Sequence, residues 1–298
     1  MRIRDLYQSA VDRLRYSGIE SAELEAALLL GHVLGTDRSR LSFVADQVIR
    51  EKQETDFENV LGRRLRREPL AYIIGECEFW SRQFIVNKAV LIPRPETEFL
   101  LEKVIEIAVQ PGDIPQKLVL DLGVGSGVIA IVLALEMAES YNIYGIDYSE
   151  AALRVAQINA RRNQVAERIH FVNSDLFSAI RNGEQFGLIV SNPPYVECEL
   201  LAKGKDAGGL QPEVVGYEPH LALNGGINGV EFMDKIADSL AGILHPGGWF
   251  FMEIGANQAK YVCDRFTRTG YFERMLVHND YAGLPRVFQA RKLSGRGA

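Results

Sequence analysis

The chain has 298 residues, 47% of them hydrophobic and 24% charged, a globular composition that excludes disordered and collagen-like classes and allows one large domain or two smaller ones. No apolar run approaches the roughly 20 residues of a membrane span, Met1-Arg2-Ile3-Arg4-Asp5-Leu6 lacks a signal peptide's apolar core, and Cys77, Cys198 and Cys263 are widely spaced, so the sequence predicts a cytoplasmic protein without membrane association, disulfide framework or structural zinc. The net charge of −6 argues against a general nucleic-acid coat; the first 75 residues hold 12 of the 33 basic and 12 of the 39 acidic residues, so all of that charge falls on the rest.

Residues 1–75 read as a small helical bundle. Ser21 caps a helix whose apolar positions Leu24, Ala27, Leu28 and Leu34 recur at helical spacing, with Gly35 past its end. A charge-rich helix runs from about Val48 to Glu68, with Val60, Leu61 and Leu65 on one face and Pro69 closing it. Its basic run, Arg63, Arg64, Arg66 and Arg67, reads as a solvated face, with a docking surface as the functional alternative. Residues 76–92 form a linker. In it Phe84-Ile85-Val86 and Ala89-Val90-Leu91-Ile92 flank Asn87-Lys88 and predict a β-hairpin or an extended segment. Two prolines hold Ile92-Pro93-Arg94-Pro95-Glu96-Thr97-Glu98 extended before a helix from Thr97 to about Val109. From Lys117 onward strands and helices alternate, which predicts a parallel, doubly wound sheet for residues 93–298. Residues 196–228, rich in glycine and polar groups, read as a long loop or lid over a substrate. The five histidines are scattered without metal-like spacing, so no metal site is expected.

Asp121-Leu122-Gly123-Val124-Gly125-Ser126-Gly127 sits between the first strand of that series and its helix. Glycines there let the backbone turn sharply and approach a ligand. The spacing is Gly-x-Gly-x-Gly; a dinucleotide fingerprint would need glycine where Val128 stands, and no phosphate loop is present. A ligand without a pyrophosphate fits better, and S-adenosylmethionine is the common one. Asp147 ends the next strand, 20 residues after Gly127, where a carboxylate can accept from both ribose hydroxyls. Asp175 follows the third strand and is a candidate partner for the adenine amino group, with Leu176 and Phe177 against the ring faces.

Asn192-Pro193-Pro194-Tyr195 lies at the C-terminal end of the strand Phe186-Gly187-Leu188-Ile189-Val190-Ser191, the edge where open α/β sheets bind ligands. The two prolines fix the loop and free carbonyl oxygens from the ladder. A carboxamide or exocyclic amino nitrogen is planar and weakly nucleophilic. It is helped by two fixed acceptors that take its hydrogens and stabilise positive charge as it turns tetrahedral. The Asn192 side-chain oxygen and the Pro193 carbonyl suit that task, and they also hold the nitrogen in line for methyl transfer. Tyr195 is expected to stack on the planar group.

Taken together, the helical N-terminal region, Glu68-Pro69-Leu70-Ala71-Tyr72-Ile73, Glu78-Phe79-Trp80, Ile92 to Glu98, Asp121 to Gly127 and Ser191 to Tyr195 resemble the HemK/PrmC family of peptide chain release factor glutamine methyltransferases over nearly the whole chain. The resemblance implies a Rossmann-like class I methyltransferase domain behind a small N-terminal helical bundle that docks the substrate. It implies transfer of a methyl group from S-adenosylmethionine, leaving S-adenosylhomocysteine, to the side-chain amide nitrogen of the glutamine in the Gly-Gly-Gln motif of release factors. Carried onto this sequence, Asp121, Gly123, Val124, Gly125, Ser126, Gly127, Asp147, Asp175, Leu176 and Asn192 would hold the cofactor. Asn192, Pro193, Pro194 and Tyr195 would hold the glutamine, with Arg94 beside it. Val124 stands where the family often has threonine, and Leu176 where some members have an aromatic residue. A monomer without nucleic acid is expected. The same chemistry on a ribosomal protein's glutamine, or on an amino group of a nucleic acid, is the alternative.

Overall fold

In the helix Ala22–Leu34 the buried positions are Ala22, Glu25, Ala26, Leu29, Leu30 and Gly31. The stripe Leu24, Ala27, Leu28, Leu34 is therefore not the core face, and Leu24 is exposed. The segment is apolar on nearly every side, so periodicity alone does not select a face, and the true face carries a glutamate that a hydrophobic pattern rejects. Glu25 is tolerated because the Arg64 guanidinium meets it at 2.5 Å.

The computed structural model describes residues 1–110, 112–181, 183–203 and 209–295. They divide into two compact units, 1–76 with 212–217, and 77–211 with 218–298. The first unit contains the helices Ile3–Tyr16, Ala22–Leu34, Leu41–Val44, Glu51–Leu65 and Leu70–Ile74. They pack around Leu6, Leu14, Leu29, Leu30, Phe57 and Leu61. The basic run is largely internal to this unit. Arg64 is buried, and besides Glu25 it reaches Glu213 at 3.0 Å. Arg67 also reaches Glu213, at 2.8 Å, and Arg63 pairs with Glu68. Only Arg66 is exposed. Glu213 comes from the helix Pro212–Tyr217, within the stretch expected to be a lid, and Tyr217 donates its hydroxyl to the Arg66 carbonyl. Residues 196–228 are not one open loop. They hold the short helices Cys198–Ala202, Pro212–Tyr217 and His220–Leu223, although part of the expected lid, 204–208, lies outside the described residues.

The second unit opens with a hairpin of β1 (Glu76–Phe79) and β2 (Arg82–Ile85), of which Glu76 alone is counted with the first unit. Its turn is Trp80-Ser81, one strand earlier than Asn87-Lys88. Both turn residues have positive φ, the geometry of a two-residue type I′ connection. Nothing in a Trp-Ser pair signals that turn. It is held by Trp80, whose backbone N–H meets the Glu98 carboxylate and whose indole N–H donates to Glu136 at 3.0 Å.

Seven further strands form one sheet: β3 (Leu118–Leu122), β4 (Asn142–Asp147), β5 (Ile169–Asn173), β6 (Phe186–Ser191), β7 (Leu244–Glu253), β8 (Phe272–Asn279) and β9 (Pro285–Lys292), in the order β5-β4-β3-β6-β7-β9-β8. The first five are parallel, each followed by helix or loop on one face or the other. The expectation of a parallel sheet fails at one edge, where β9 runs antiparallel to both neighbours. Only Asp280–Leu284 separates β8 from β9, too short for the crossover that a parallel pair requires. Alternation along the strands sorts two cores. Val119, Leu188, Trp249 and Phe251 face one, and Leu120, Ile189, Phe250 and Met252 the other. By the same period Asp121 and Glu253 point to the first face, which the helices Pro95–Ala108 and Val128–Glu136 cover.

Candidate active site

The sheet order reverses between β3 and β6, and the C-terminal ends of β3 to β6 open there onto a cavity of about 630 Å³. That is the switch point at which doubly wound sheets bind ligands. The volume falls in the range of small-molecule sites, on the order of 300–1,000 Å³.

Part of its wall is the glycine loop. Gly123 and Val124 donate their N–H groups to the Ile146 carbonyl at 2.8 and 3.0 Å, which folds the loop over the edge of β4. Gly127, at φ +88°, packs where a Cβ would come within 3.1 Å of Ala156 and Ile131. It therefore sets the close contact of loop and helix rather than touching the cavity. Gly123, Val124, Gly125 and Ser126 do line it, with Asp147, Asp175 and Leu176. The Asp147 carboxylate accepts from Gly125 N–H and Ser149 N–H, both at 2.8 Å. Burial raises its pKa, and those two donors only partly offset the rise. Phe177 is buried in the second core and does not reach the cavity.

Asp121 is also set back from the cavity. It is fully buried beneath the loop; one carboxylate oxygen accepts from Ala130 N–H at 3.0 Å, and the other finds no partner among the described residues. Burial pushes its pKa up to about 8, Ala130 opposing and Asp147 adding to the shift.

Asn192-Pro193-Pro194-Tyr195 follows β6 next to that loop, the Asn192 carbonyl lying 3.9 Å from where a Cβ on Gly123 would stand. Ser191 donates its hydroxyl to the Leu122 carbonyl at 2.7 Å, tying the end of β6 to β3 beside the glycine loop. Asn192, Pro193 and Pro194 line the cavity. No donor among the described residues reaches the Pro193 carbonyl. The Tyr195 carbonyl is instead taken by the Gln258 side chain at 3.1 Å. Gly229, at φ +69°, brings the returning loop so close that a Cβ would sit 2.1 Å from that carbonyl. Tyr195 does not line the cavity. Its ring packs on the second core and its hydroxyl donates to Glu253 at 2.9 Å. Arg94 does line the cavity, but its charge is met by Glu218, which also accepts from Ile92 N–H at 3.1 Å.

Three features escaped the sequence reading. The lining also includes Tyr148, Leu221, Phe232 and Lys235, from segments with no motif of their own. Asn159, fully buried, accepts from Ile85 N–H at 2.7 Å and donates to the carbonyls of Ile85 and Ser126 at 2.9 Å, locking the hairpin to the glycine loop. Glu253, 0% exposed, accepts from the Thr97 hydroxyl at 2.7 Å, and Thr97 in turn accepts from the Asn192 amide at 3.1 Å.

A mainly parallel seven-stranded sheet with a glycine loop and an Asn-Pro-Pro-Tyr turn flanking its switch point defines a methyltransferase. A methyltransferase from Pyrococcus furiosus shares the fold at a TM-score of 0.50, with 16% identity over 72% of this chain and 91% of that one. Residues 5–75 match the PrmC N-terminal domain and residues 95–203 the methyltransferase small domain. The release factor glutamine methyltransferase of Koribacter versatilis (strain Ellin345) is 40% identical over 98% of this chain and 99% of its own. That of Geobacter sulfurreducens is 37% identical over 93% and 92%. The chain belongs to the release factor glutamine methyltransferase family.

Proposed function

We propose that the protein methylates the side-chain amide nitrogen of the glutamine in a release factor's Gly-Gly-Gln motif, with S-adenosylmethionine as donor. One observation carries the reading: Asn192 and Pro193 line the same cavity as the glycine loop and the Asp147 carboxylate. The residues fit an adenosyl ligand. Asp147 keeps lone pairs free beyond its two backbone bonds for ribose hydroxyls, Leu176 supplies an apolar wall, and Asp175 is exposed at the cavity's edge.

When bound, that ligand supplies an electrophilic methyl group. The protein's own part is positioning and electrostatics. With its nitrogen held by Thr97, Asn192 offers its oxygen to one amide hydrogen, and the Pro193 carbonyl takes the other. Two acceptors stabilise the positive charge that grows on the nitrogen as it loses planarity, without a prior proton removal. Pro193 and Pro194 keep that geometry stiff, and the Glu218 pairing neutralises Arg94 at the cavity wall. The protein works in this reading as a cytoplasmic monomer without nucleic acid.

The test is mass spectrometry of a release factor after incubation with the protein and S-adenosylmethionine. One added methyl group on the Gly-Gly-Gln glutamine is expected. An unmodified release factor beside a labelled ribosomal protein or RNA would refute the reading.

A further inference from the structure

The Asn192 side chain has two faces of opposite character, an acceptor oxygen and a donor nitrogen, and turning it over changes what it recognises. Which face meets the cavity is set by Thr97 at the cavity wall and by Glu253 behind it. Glu253 is fully buried at the end of β7 and lies outside the cavity lining. Its two oxygens receive hydroxyl donors, Thr97 at 2.7 Å and Tyr195 at 2.9 Å. Burial pushes the Glu253 pKa up, and the Thr97 and Tyr195 hydroxyls and Arg286 oppose that rise; with a hydroxyl donor on each of its oxygens, Glu253 is the acceptor of both bonds. The Thr97 proton is therefore committed to Glu253, and what Thr97 has left for Asn192 is a lone pair. Only the Asn192 nitrogen can meet a lone pair, at 3.1 Å, so the oxygen turns the other way.

We propose that Glu253 and Thr97 are positioning residues that fix the orientation of the Asn192 carboxamide, so that the site presents acceptors alone and selects a carboxamide over a carboxylate. The proposal rests on the reading that Asn192 holds the acceptor amide. A glutamine side chain brings two N–H donors to the Asn192 oxygen and the Pro193 carbonyl. A glutamate side chain brings only lone pairs and a negative charge, and is repelled. Turned over, Asn192 would offer a donor and the discrimination would weaken. Thr97 suits this task because it sits in the first turn of the helix Pro95–Ala108, is 3% exposed, and comes from a segment that also lines the cavity. Tyr195 completes the device from behind: its hydroxyl occupies the second Glu253 oxygen, so Glu253 has one oxygen left for Thr97.

The test uses the full chain with a release factor as substrate and with Gly-Gly-Gln and Gly-Gly-Glu peptides as competitors. Thr97→Val keeps shape and charge but removes the hydroxyl, Thr97→Ser keeps the hydroxyl, and Glu253→Gln keeps shape but can donate as well as accept. Thr97→Val and Glu253→Gln are expected to lower kcat by about tenfold or more, in the range for loss of one preorganised hydrogen bond. The dissociation constant for S-adenosylhomocysteine, measured by calorimetry, stays within about twofold for Glu253→Gln, since Glu253 lies outside the cavity lining. Thr97→Ser retains most of kcat. The Gly-Gly-Glu peptide, inert against the unaltered protein, competes against Thr97→Val. Because that variant changes no charge, the gain reports orientation rather than relief of repulsion, and it decides the matter if Glu253→Gln does not fold. The proposal falls if Thr97→Val keeps full kcat while Asn192→Ala loses it. It also falls if Thr97→Ser is as poor as Thr97→Val, or if cofactor affinity drops in step with kcat in Glu253→Gln. Full transfer by Asn192→Ala would remove the underlying reading as well.

Discussion

Replacing Arg64 by alanine isolates what the basic run does. The Arg64 side chain is 6% exposed, and its two partners, Glu25 and Glu213, are each 11% exposed. Removing the cation leaves two carboxylates in a shielded site. Arg67 still reaches Glu213, but Glu25 loses the one cation paired with it among the described residues. Breaking a buried pair by deleting one partner costs about 3–5 kcal/mol, most of it the uncompensated charge. The buried stem of the arginine adds packing loss in the same direction. The chain has two units, so one unfolding free energy is not the right measure. Hydrogen exchange of the helices Ile3–Tyr16 and Ala22–Leu34 reads the first unit directly. At roughly 1.4 kcal/mol per decade, protection there falls on the order of 10²–10³-fold at neutral pH. Adding Glu25→Gln and Glu213→Gln restores much of it. So does acid: a carboxylate buried without a cation has a raised pKa, and its penalty fades as pH falls through that value. In the intact protein Glu213 behaves oppositely. Burial works to raise its pKa, but its own backbone N–H together with Arg64 and Arg67 holds it below the ordinary range. A loss of protection smaller than about threefold, under roughly 0.7 kcal/mol, would refute the reasoning and return the run to a solvated face.

Further outcomes follow from the active site. Asp121→Asn stabilises the ligand-free protein progressively from about pH 4 to 8: the folded pKa of about 8 lies above the unfolded value near 4, so the unaltered protein pays a buried-charge penalty that grows across that window and is complete above it. Equal melting shifts at pH 5 and pH 9 would contradict this. Asp147→Asn weakens S-adenosylhomocysteine binding by about 10–100-fold in calorimetry, the worth of hydrogen bonds to a charged acceptor, and an unchanged constant would place the ribose elsewhere. Gly229→Ala lowers both melting temperature and kcat, because the left-handed backbone costs about 1–2 kcal/mol for a side chain and the new Cβ collides with the Tyr195 carbonyl; full activity would show that the returning loop does not fix the turn.

What the sequence made legible was local. The glycine spacing, Asp147 at its strand end and Asn192-Pro193-Pro194 each lie within one turn or strand end, and the cavity brings them together. The rest depended on partners far along the chain. Glu25 can occupy a core face only because Arg64 lies 39 residues on. Glu253 stands at a strand end, a position where carboxylates are commonly solvated, and its role comes from Thr97, 156 residues earlier. Tyr195 was assigned to the substrate as an aromatic in a motif, yet its hydroxyl had a buried acceptor to satisfy. The Trp80-Ser81 turn violates the usual residue preference and is held by contacts with Glu98 and Glu136. Alternation of strands and helices gave the sheet but not its antiparallel edge, which a five-residue connection dictates.

The pairing of Glu213 with Arg64 and Arg67 has a consequence for how the molecule is made. The first compact unit is not a contiguous stretch of chain: residues 212–217 belong to it, although 135 residues of the second unit, 77–211, come between. A ribosome must therefore deliver residue 217 before the first unit possesses all its parts, and until then Arg64 and Glu25 wait without Glu213. Excising residues 1–76, or grafting them onto another protein, leaves a six-residue piece of the unit behind. At its edge neighbouring residues are committed to different units, Tyr217 through its hydroxyl to Arg66 and Glu218 through its carboxylate to Ile92 and Arg94. The boundary between the two units thus falls there on a single peptide bond, Tyr217–Glu218.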